Sequence, residues 1–227
     1  MNNDLHQQIS RIIETDKENH LSIMHYAIVN HKFNTVVEFG VDRGTSTKAF
    51  LLASDKVGCK VFSFDIKDCS KILSHPNWFF SQVNDINKKK IFELFPEIIE
   101  KGIDLLYIDS YHEPNHIKLL LESYFENINV GGFIFVDDTS AYPYRKIKSL
   151  SNSIVSDLSR EAVEEFYYSN FDSINFQYNG NENGLCILKK VKDSKVSKKK
   201  VWLYNFLIYN IIKLFKKIKY KIFYKKI

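Results

Sequence analysis

Apolar residues along this chain of 227 residues recur in two rhythms. Short runs rich in Val, Ile, Phe and Leu alternate with longer stretches where apolar positions return every three or four residues. The short runs predict strands at Val36–Glu38, Lys60–Ile66, Trp78–Val83, Ile103–Asp109, Phe133–Val136, Ile174–Tyr178 and Leu185–Lys189. The helical rhythm predicts helices at Leu5–Glu14 and Leu21–His31, another opening at Thr45-Ser46, and one over Asn87–Gly102 that Pro96 interrupts. Two more follow, at Pro114–Asn129 and Arg145–Glu165, and Gly131-Gly132 reads as a turn into the fifth strand. Five strands alternate with helices, and the last two are joined by the short turn NGNENG. The class is α/β: a doubly wound, mostly parallel seven-stranded Rossmann-like sheet with an antiparallel edge hairpin.

Charge divides the chain in two. From Val191 onward there are twelve lysines and one aspartate, whereas the first 190 residues hold 20 Lys plus Arg against 26 Asp plus Glu. The net charge of +5 therefore comes from the tail, and the body has no basic face for nucleic acid. This gives three parts: N-terminal helices over 1–34 capping the site, a catalytic domain over 35–190, and a basic tail over 191–227. Cys59, Cys69 and Cys186 are odd in number and widely spaced, which fits neither a zinc pattern nor a disulfide framework. With no secretory pattern in MNNDLHQQIS, the expected location is the cytoplasm.

Chemistry gathers at the strand ends. TVVEFGVDRGTS runs from a strand through a glycine turn (Gly40, Gly44) to a helix start, a place where backbone approaches a nucleotide, phosphate or carboxylate closely. It is not G-x-G-x-x-G, which disfavours a nicotinamide dinucleotide. Ligands of an open parallel sheet bind beyond the carboxyl ends of its strands, and an acid stands there after each of five strands. These are Glu38, Asp65, Asp85, Asp109 and the pair Asp137-Asp138. Asp65 follows the turn by about twenty residues, the spacing at which an acid accepts ribose hydroxyls. His20, His25 and His31 have no acidic partner at ligand spacing and read as structural or surface residues.

The segment E-F-G-V-D-R-G-T-S resembles the first motif of class I S-adenosylmethionine-dependent methyltransferases, with Asp42 where many members have glycine. The stretch IDLLYIDSYHEPNHIKLLLESYFENINVGGFIFVDDT resembles the branch of metal-dependent O-methyltransferases acting on sugars and related natural products. That resemblance implies S-adenosylmethionine beside Glu38, Gly40, Gly44 and Ser46, with Asp65 on its ribose and Asp85 by its adenine. It also implies a divalent ion on Asp109, Asp137 and Asp138, and an all-oxygen set suits Mg²⁺. His112, three residues after Asp109, is expected to be the general base, and His116 a helix residue. Tyr142, Tyr144 and Arg145 are expected to wall a pocket for a carbohydrate hydroxyl, such as a nucleotide-linked sugar. The alternatives are a metal-independent small-molecule methyltransferase and a non-catalytic cofactor-binding protein associated with a membrane.

In the tail, Leu207, Ile211, Leu214, Phe215, Ile218 and Ile222 form one helical stripe, with Asn205, Lys213, Lys216 and Lys217 opposite. Val201–Phe215 is too short and interrupted for a comfortable span. Its aromatics and lysines suit a helix lying on an anionic membrane surface. Packing on a second copy in a homo-oligomer is the competing expectation.

Overall fold

The first elements are two helices, α1 (Asn2–Thr15) and α2 (His20–His31), ahead of strand β1 (Thr35–Phe39). They are followed by α3 (Thr45–Val57), β2 (Lys60–Asp65), β3 (Trp78–Gln82), α4 (Lys88–Leu94), α5 (Glu97–Lys101) and β4 (Ile103–Ile108). Last come α6 (Pro114–Tyr124), β5 (Ile128–Val136), α7 (Leu150–Ser169), β6 (Ile174–Asn179) and β7 (Leu185–Lys190). This computed structural model describes residues 2–140 and 150–197, so Tyr142, Tyr144, Arg145 and nearly all of the basic tail lie outside it.

The seven strands form one sheet in the order β3-β2-β1-β4-β5-β7-β6. β1 to β5 are parallel, and β7 runs antiparallel to both β5 and β6. Alternation along each strand divides its side chains between two cores. Val36, Leu105 and Tyr107 face Met24 and Ile28 of α2 and Phe50 and Leu51 of α3. Val37, Leu106 and Ile108 face Ile91, Ile117, Leu120 and Tyr124 of α4 and α6, with Val163 and Phe166 of α7. With both faces covered, the central strands read as continuous apolar runs. α1 packs on α3 through Ile9, Ile13 and Ala49.

The start of β5 and the end of α6 differ from the sequence expectation, while Pro96 interrupts its helix as expected. β5 begins at Ile128, opposite Ile103, and the glycine pair lies inside it at a register shift rather than in a turn before it. Gly131 has φ 91, and a Cβ on Gly132 would stand 2.9 Å from the carbonyl oxygens of Asn129 and Asp104. The glycines thus form a bulge pressed against β4. Pro96 divides the helical stretch outright, ending α4 and serving as the N-cap of α5. α6 stops at Tyr124, five residues early, because a 3₁₀ turn at Phe125–Asn127 redirects the chain into β5.

Candidate functional site

The strand order reverses between β1 and β4, which leaves a crevice beyond their carboxyl ends. Gly40 opens that crevice. Its N–H donates to the Phe64 carbonyl at 2.9 Å, and the Asp109 N–H donates to the Phe39 carbonyl at 2.9 Å. A Cβ on Gly40 would lie 2.2 Å from the Asp109 carbonyl oxygen, and its φ is +93. Only glycine permits this approach. Asp42 has φ 43 in the same turn, so it adopts the left-handed conformation expected of a glycine, which Asp tolerates better than most residues.

Asp65, at the end of β2, secures the turn from below. It accepts from the N–H groups of Val41 (2.9 Å), Asp42 (3.2 Å) and Lys67 (2.9 Å). Burial opposes its ionisation, but these three donors outweigh it and hold its pKa below the ordinary value. Gly44 starts α3 without any side-chain cap, leaving that helix N-terminus able to receive a carboxylate. The Ser46 hydroxyl is turned inward, donating to Glu38 Oε1 at 2.6 Å. Glu38 also accepts from Thr47 (2.8 Å) and Ser63 (2.5 Å), yet its complete burial pushes its pKa up to about 7. Asp85 is buried, taking hydrogen bonds from Ser110 and from His116 Nε2 at 3.0 Å. His116 therefore does more than cover a helix face, since it holds the acid that follows β3.

A second cluster lies beyond β4 and β5. His112 Nε2 is 3.1 Å from Asp109 Oδ1 and 3.6 Å from Asp138 Oδ2. Asp109, His112 and Asp138 each offer a ligand atom, all within 4.8 Å of one another. Ser159 of α7 donates to the His112 carbonyl at 2.7 Å, which steadies the loop carrying the imidazole. Asp138 has φ 54, a left-handed conformation that costs most non-glycine residues about 1–2 kcal/mol and Asp somewhat less. Asp137 turns away from this trio. Its Oδ1 accepts from His20 Nδ1 at 3.1 Å and from the Asp138 N–H at 2.8 Å, and its Oδ2 accepts from the Tyr107 hydroxyl at 2.6 Å. The same hydroxyl lies 3.2 Å from Asp109 Oδ2.

The electrostatics of this cluster would suit a cation. Burial, with Asp137 and Asp138 close by, raises the Asp109 pKa despite the His112 hydrogen bond. For His112 burial works the other way, but Asp109, Asp138 and Asp137 together raise its pKa. Asp137 is lowered, because the hydrogen bond and charge of His20 overcome its burial. Three partly buried donors from two carboxylates and an imidazole, crowded by a further acid, fit a divalent ion. The crevice likewise fits S-adenosylmethionine, offering an uncapped helix start for its carboxylate and Asp65 and Asp85 along the next two strand ends.

Two residues of the cluster were not assigned to it from the sequence: Tyr107 was not named, and the structural or surface reading of His20 is corrected by its bond to Asp137. Tyr107 precedes Asp109 by two residues on one strand, so both point to the same side, and that spacing was a usable signal. His20 gave none, because its partner lies 117 residues away. Tyr142, Tyr144 and Arg145 fall outside the described residues.

Residues 37–139, from the middle of β1 to just beyond Asp138, match the sequence model of a family described as a methyltransferase domain. That match covers less than half of the chain, and over it the chain is similar to methyltransferase domains. No curated protein matches the sequence. Solved structures do share this methyltransferase fold. A Staphylococcus aureus protein assigned provisionally as a caffeoyl-CoA O-methyltransferase aligns over 82% of this chain and 96% of its own, with 16% identity and TM-score 0.59. The mycinamycin-pathway methyltransferase MycE, solved with Mg and SAH, aligns over 86% of this chain and 56% of its own, with 16% identity and TM-score 0.56. CalS11, a TDP-rhamnose 3'-O-methyltransferase of calicheamicin biosynthesis, aligns over 82% and 93%, with 13% identity and TM-score 0.51. At these identities the likeness establishes the fold.

Proposed function

We propose that this protein is an S-adenosylmethionine-dependent O-methyltransferase assisted by a divalent ion, acting on a hydroxyl of a carbohydrate such as a nucleotide-linked sugar. The observation that carries the chemistry is the convergence of Asp109, His112 and Asp138 beside the Gly40 crevice. Asp109 and Asp138 would hold the ion, Mg²⁺ by preference for oxygen donors, with Asp137 as a third acid at its edge. When bound, S-adenosylmethionine supplies an electrophilic methyl group, and the ion supplies positive charge that acidifies a neighbouring hydroxyl. His112 would take the hydroxyl proton at Nε2 once the ion has drawn Asp109 and Asp138 onto itself and freed that nitrogen from them. The crevice aligns the two reactants, and Glu38 and Asp65 fix the turn that carries the cofactor. The carbohydrate acceptor draws support from the rhamnose substrate named for CalS11, which shares the fold.

Calorimetry with S-adenosylmethionine, then methyl transfer to nucleotide-linked sugars with and without EDTA, tests this function. Binding followed by loss of turnover in EDTA is expected. Full activity in EDTA would remove the ion and leave a metal-independent methyltransferase. Absence of cofactor binding would overturn the function as a whole.

A second reading follows from the same distances, since His112 is close enough to be a ligand instead of a base. An imidazole ligand would favour Mn²⁺ or another transition ion over Mg²⁺. His112→Gln separates the two: a base loses turnover at unchanged metal affinity, whereas a ligand loses both.

We also propose that the basic tail binds an anionic membrane surface. Among the described residues no helix is long and apolar enough to cross a membrane, and the support is the tail's sequence pattern alone.

A further inference from the structure

We propose that His20 is a positioning residue of the transfer centre, holding Asp137 so that Asp138 keeps the strained conformation that presents its carboxylate beside Asp109 and His112. The inference rests on reading that cluster as a divalent-ion site.

Asp137 is bound from three directions, which leaves little freedom at its carboxylate. Tyr107 holds Oδ2, while His20 Nδ1 and the Asp138 N–H share Oδ1. An ionised carboxylate only accepts, so Nδ1 carries the proton of that bond. The Asp138 N–H bond links the Asp137 carboxylate to the left-handed backbone at Asp138. A non-glycine residue stays in that region only where its surroundings over-determine it. Of the side chains that supply this determination, His20 comes from furthest away in the chain.

The histidine is itself firmly seated. It is 3% exposed and is the first residue of α2, directly after the N-cap Asn19. Asn19 Nδ2 donates to Glu182 Oε1 at 2.6 Å, and Glu182 Oε2 lies 3.4 Å from His20 Nδ1. Asn179 and Asn181 donate to the Glu18 carbonyl and carboxylate, each at 3.1 Å. The β6–β7 turn thus clamps the start of α2. That turn also holds the chain just past Asp138, since the Thr139 N–H reaches the Gly184 carbonyl at 3.0 Å and the Ser140 N–H the Asn183 carbonyl at 2.6 Å. Both sides of the His20–Asp137 bond are anchored to one hairpin.

The ordinary fate of a buried histidine is visible one turn along the same helix. His25 is 1% exposed, with Nδ1 on the Ala49 carbonyl and Nε2 facing Lys56. It serves packing between α2 and α3. His20 instead contacts an acid adjacent in sequence to Asp138. Partners bonded directly to a metal ligand commonly change metal affinity by about 10–100-fold when removed, and His20 acts on Asp138 one step further back, through Asp137, so the low end of that range applies.

The test uses the full chain titrated with Mn²⁺, followed by calorimetry and by the spin-resonance signal of the free ion, with S-adenosylhomocysteine affinity measured alongside. His20→Asn places an amide donor where Nδ1 stands, whereas His20→Gln places it where Nε2 stands. The expected result is Mn²⁺ affinity near wild type for His20→Asn and about tenfold weaker for His20→Gln and His20→Ala. Affinity for S-adenosylhomocysteine should stay within about twofold, and His25→Ala should lower the melting temperature without altering the Mn²⁺ affinity of the folded protein. Equal Mn²⁺ affinity in His20→Gln and wild type would overturn the proposal. So would parallel losses of ion and cofactor in both amide variants, which mark general disruption. If His20→Ala does not fold, the two amide variants carry the comparison alone. A wild-type chain that binds no Mn²⁺ would overturn the metal reading itself, a result distinct from any difference among variants.

Discussion

Glu38 is fully buried, and three hydroxyl donors do not suffice to keep it ionised at its ordinary pKa. Its folded pKa of about 7 lies above the ordinary 4.5, so the folded state holds a proton that the unfolded chain releases. The stability it contributes is complete below about pH 4.5 and is lost as pH rises through about 7. Glu38→Gln removes the titration while keeping an acceptor for the hydroxyls. Urea unfolding of both proteins across that window should show the wild type losing on the order of 3 kcal/mol relative to the variant. A difference that stays flat with pH would mean that Glu38 remains ionised throughout. Residues of this kind were legible in the sequence because each stands at the end of an apolar strand, where an acid is conspicuous. Asp109 and Asp138 were legible for that reason, and His112 only by its position three residues after Asp109. Asp137 was legible as an acid but not in its engagement with His20 and Tyr107, because rotamer and hydrogen-bond partners are settled by tertiary packing. Asp42 made no sense as a residue type until its positive φ was known.

Elements owe their boundaries to their neighbours as much as to their own pattern. The run Phe133–Val136 announced a strand, yet β5 extends back to Ile128 because Ile103 of β4 offers a partner there. Gly131-Gly132 resembled a turn, since the side chains that would identify a bulge are missing from both residues. Asp104 shows the same dependence at the opposite edge of the sheet from the site. Its carboxylate accepts from the N–H groups of Asn34 (2.8 Å) and Thr35 (3.1 Å) and from Asn129 Nδ2 (2.7 Å), tying together the starts of β1, β4 and β5. Asp104→Ala leaves those donors short of an acceptor and should cost about 1–3 kcal/mol. Thermal unfolding should reveal the loss, while the folded variant keeps its S-adenosylmethionine affinity in calorimetry. A drop in cofactor affinity of the folded variant would show that the two edges of the sheet are coupled. The sheet order, by contrast, was legible in kind: alternating strands and helices with a closing hairpin specify a mostly parallel sheet.

At the scale of the molecule, charge is divided unequally along the sequence. The first 190 residues carry six more acids than bases, and the remaining 37 carry eleven more bases than acids. A negatively charged bilayer repels the first part weakly and attracts the second at about 1 kcal/mol for each lysine that reaches it. The attraction falls off within a Debye length of about 8 Å at physiological salt, so only lysines lying along the surface contribute. Under the membrane proposal, the sequence pattern of Leu207, Ile211, Leu214, Phe215, Ile218 and Ile222 would supply the second signal that stable attachment requires, an apolar stripe for the headgroup boundary. Co-sedimentation with vesicles distinguishes the two contributions. The full chain should pellet with phosphatidylserine-containing vesicles, remain in the supernatant with neutral ones, and be only partly released by high salt. Complete release by salt would assign the attachment to the lysines alone. A chain that ignores anionic vesicles and elutes as a dimer would sink the membrane proposal and point to the stripe packing on a second copy, because an apolar face of that length must be buried against something.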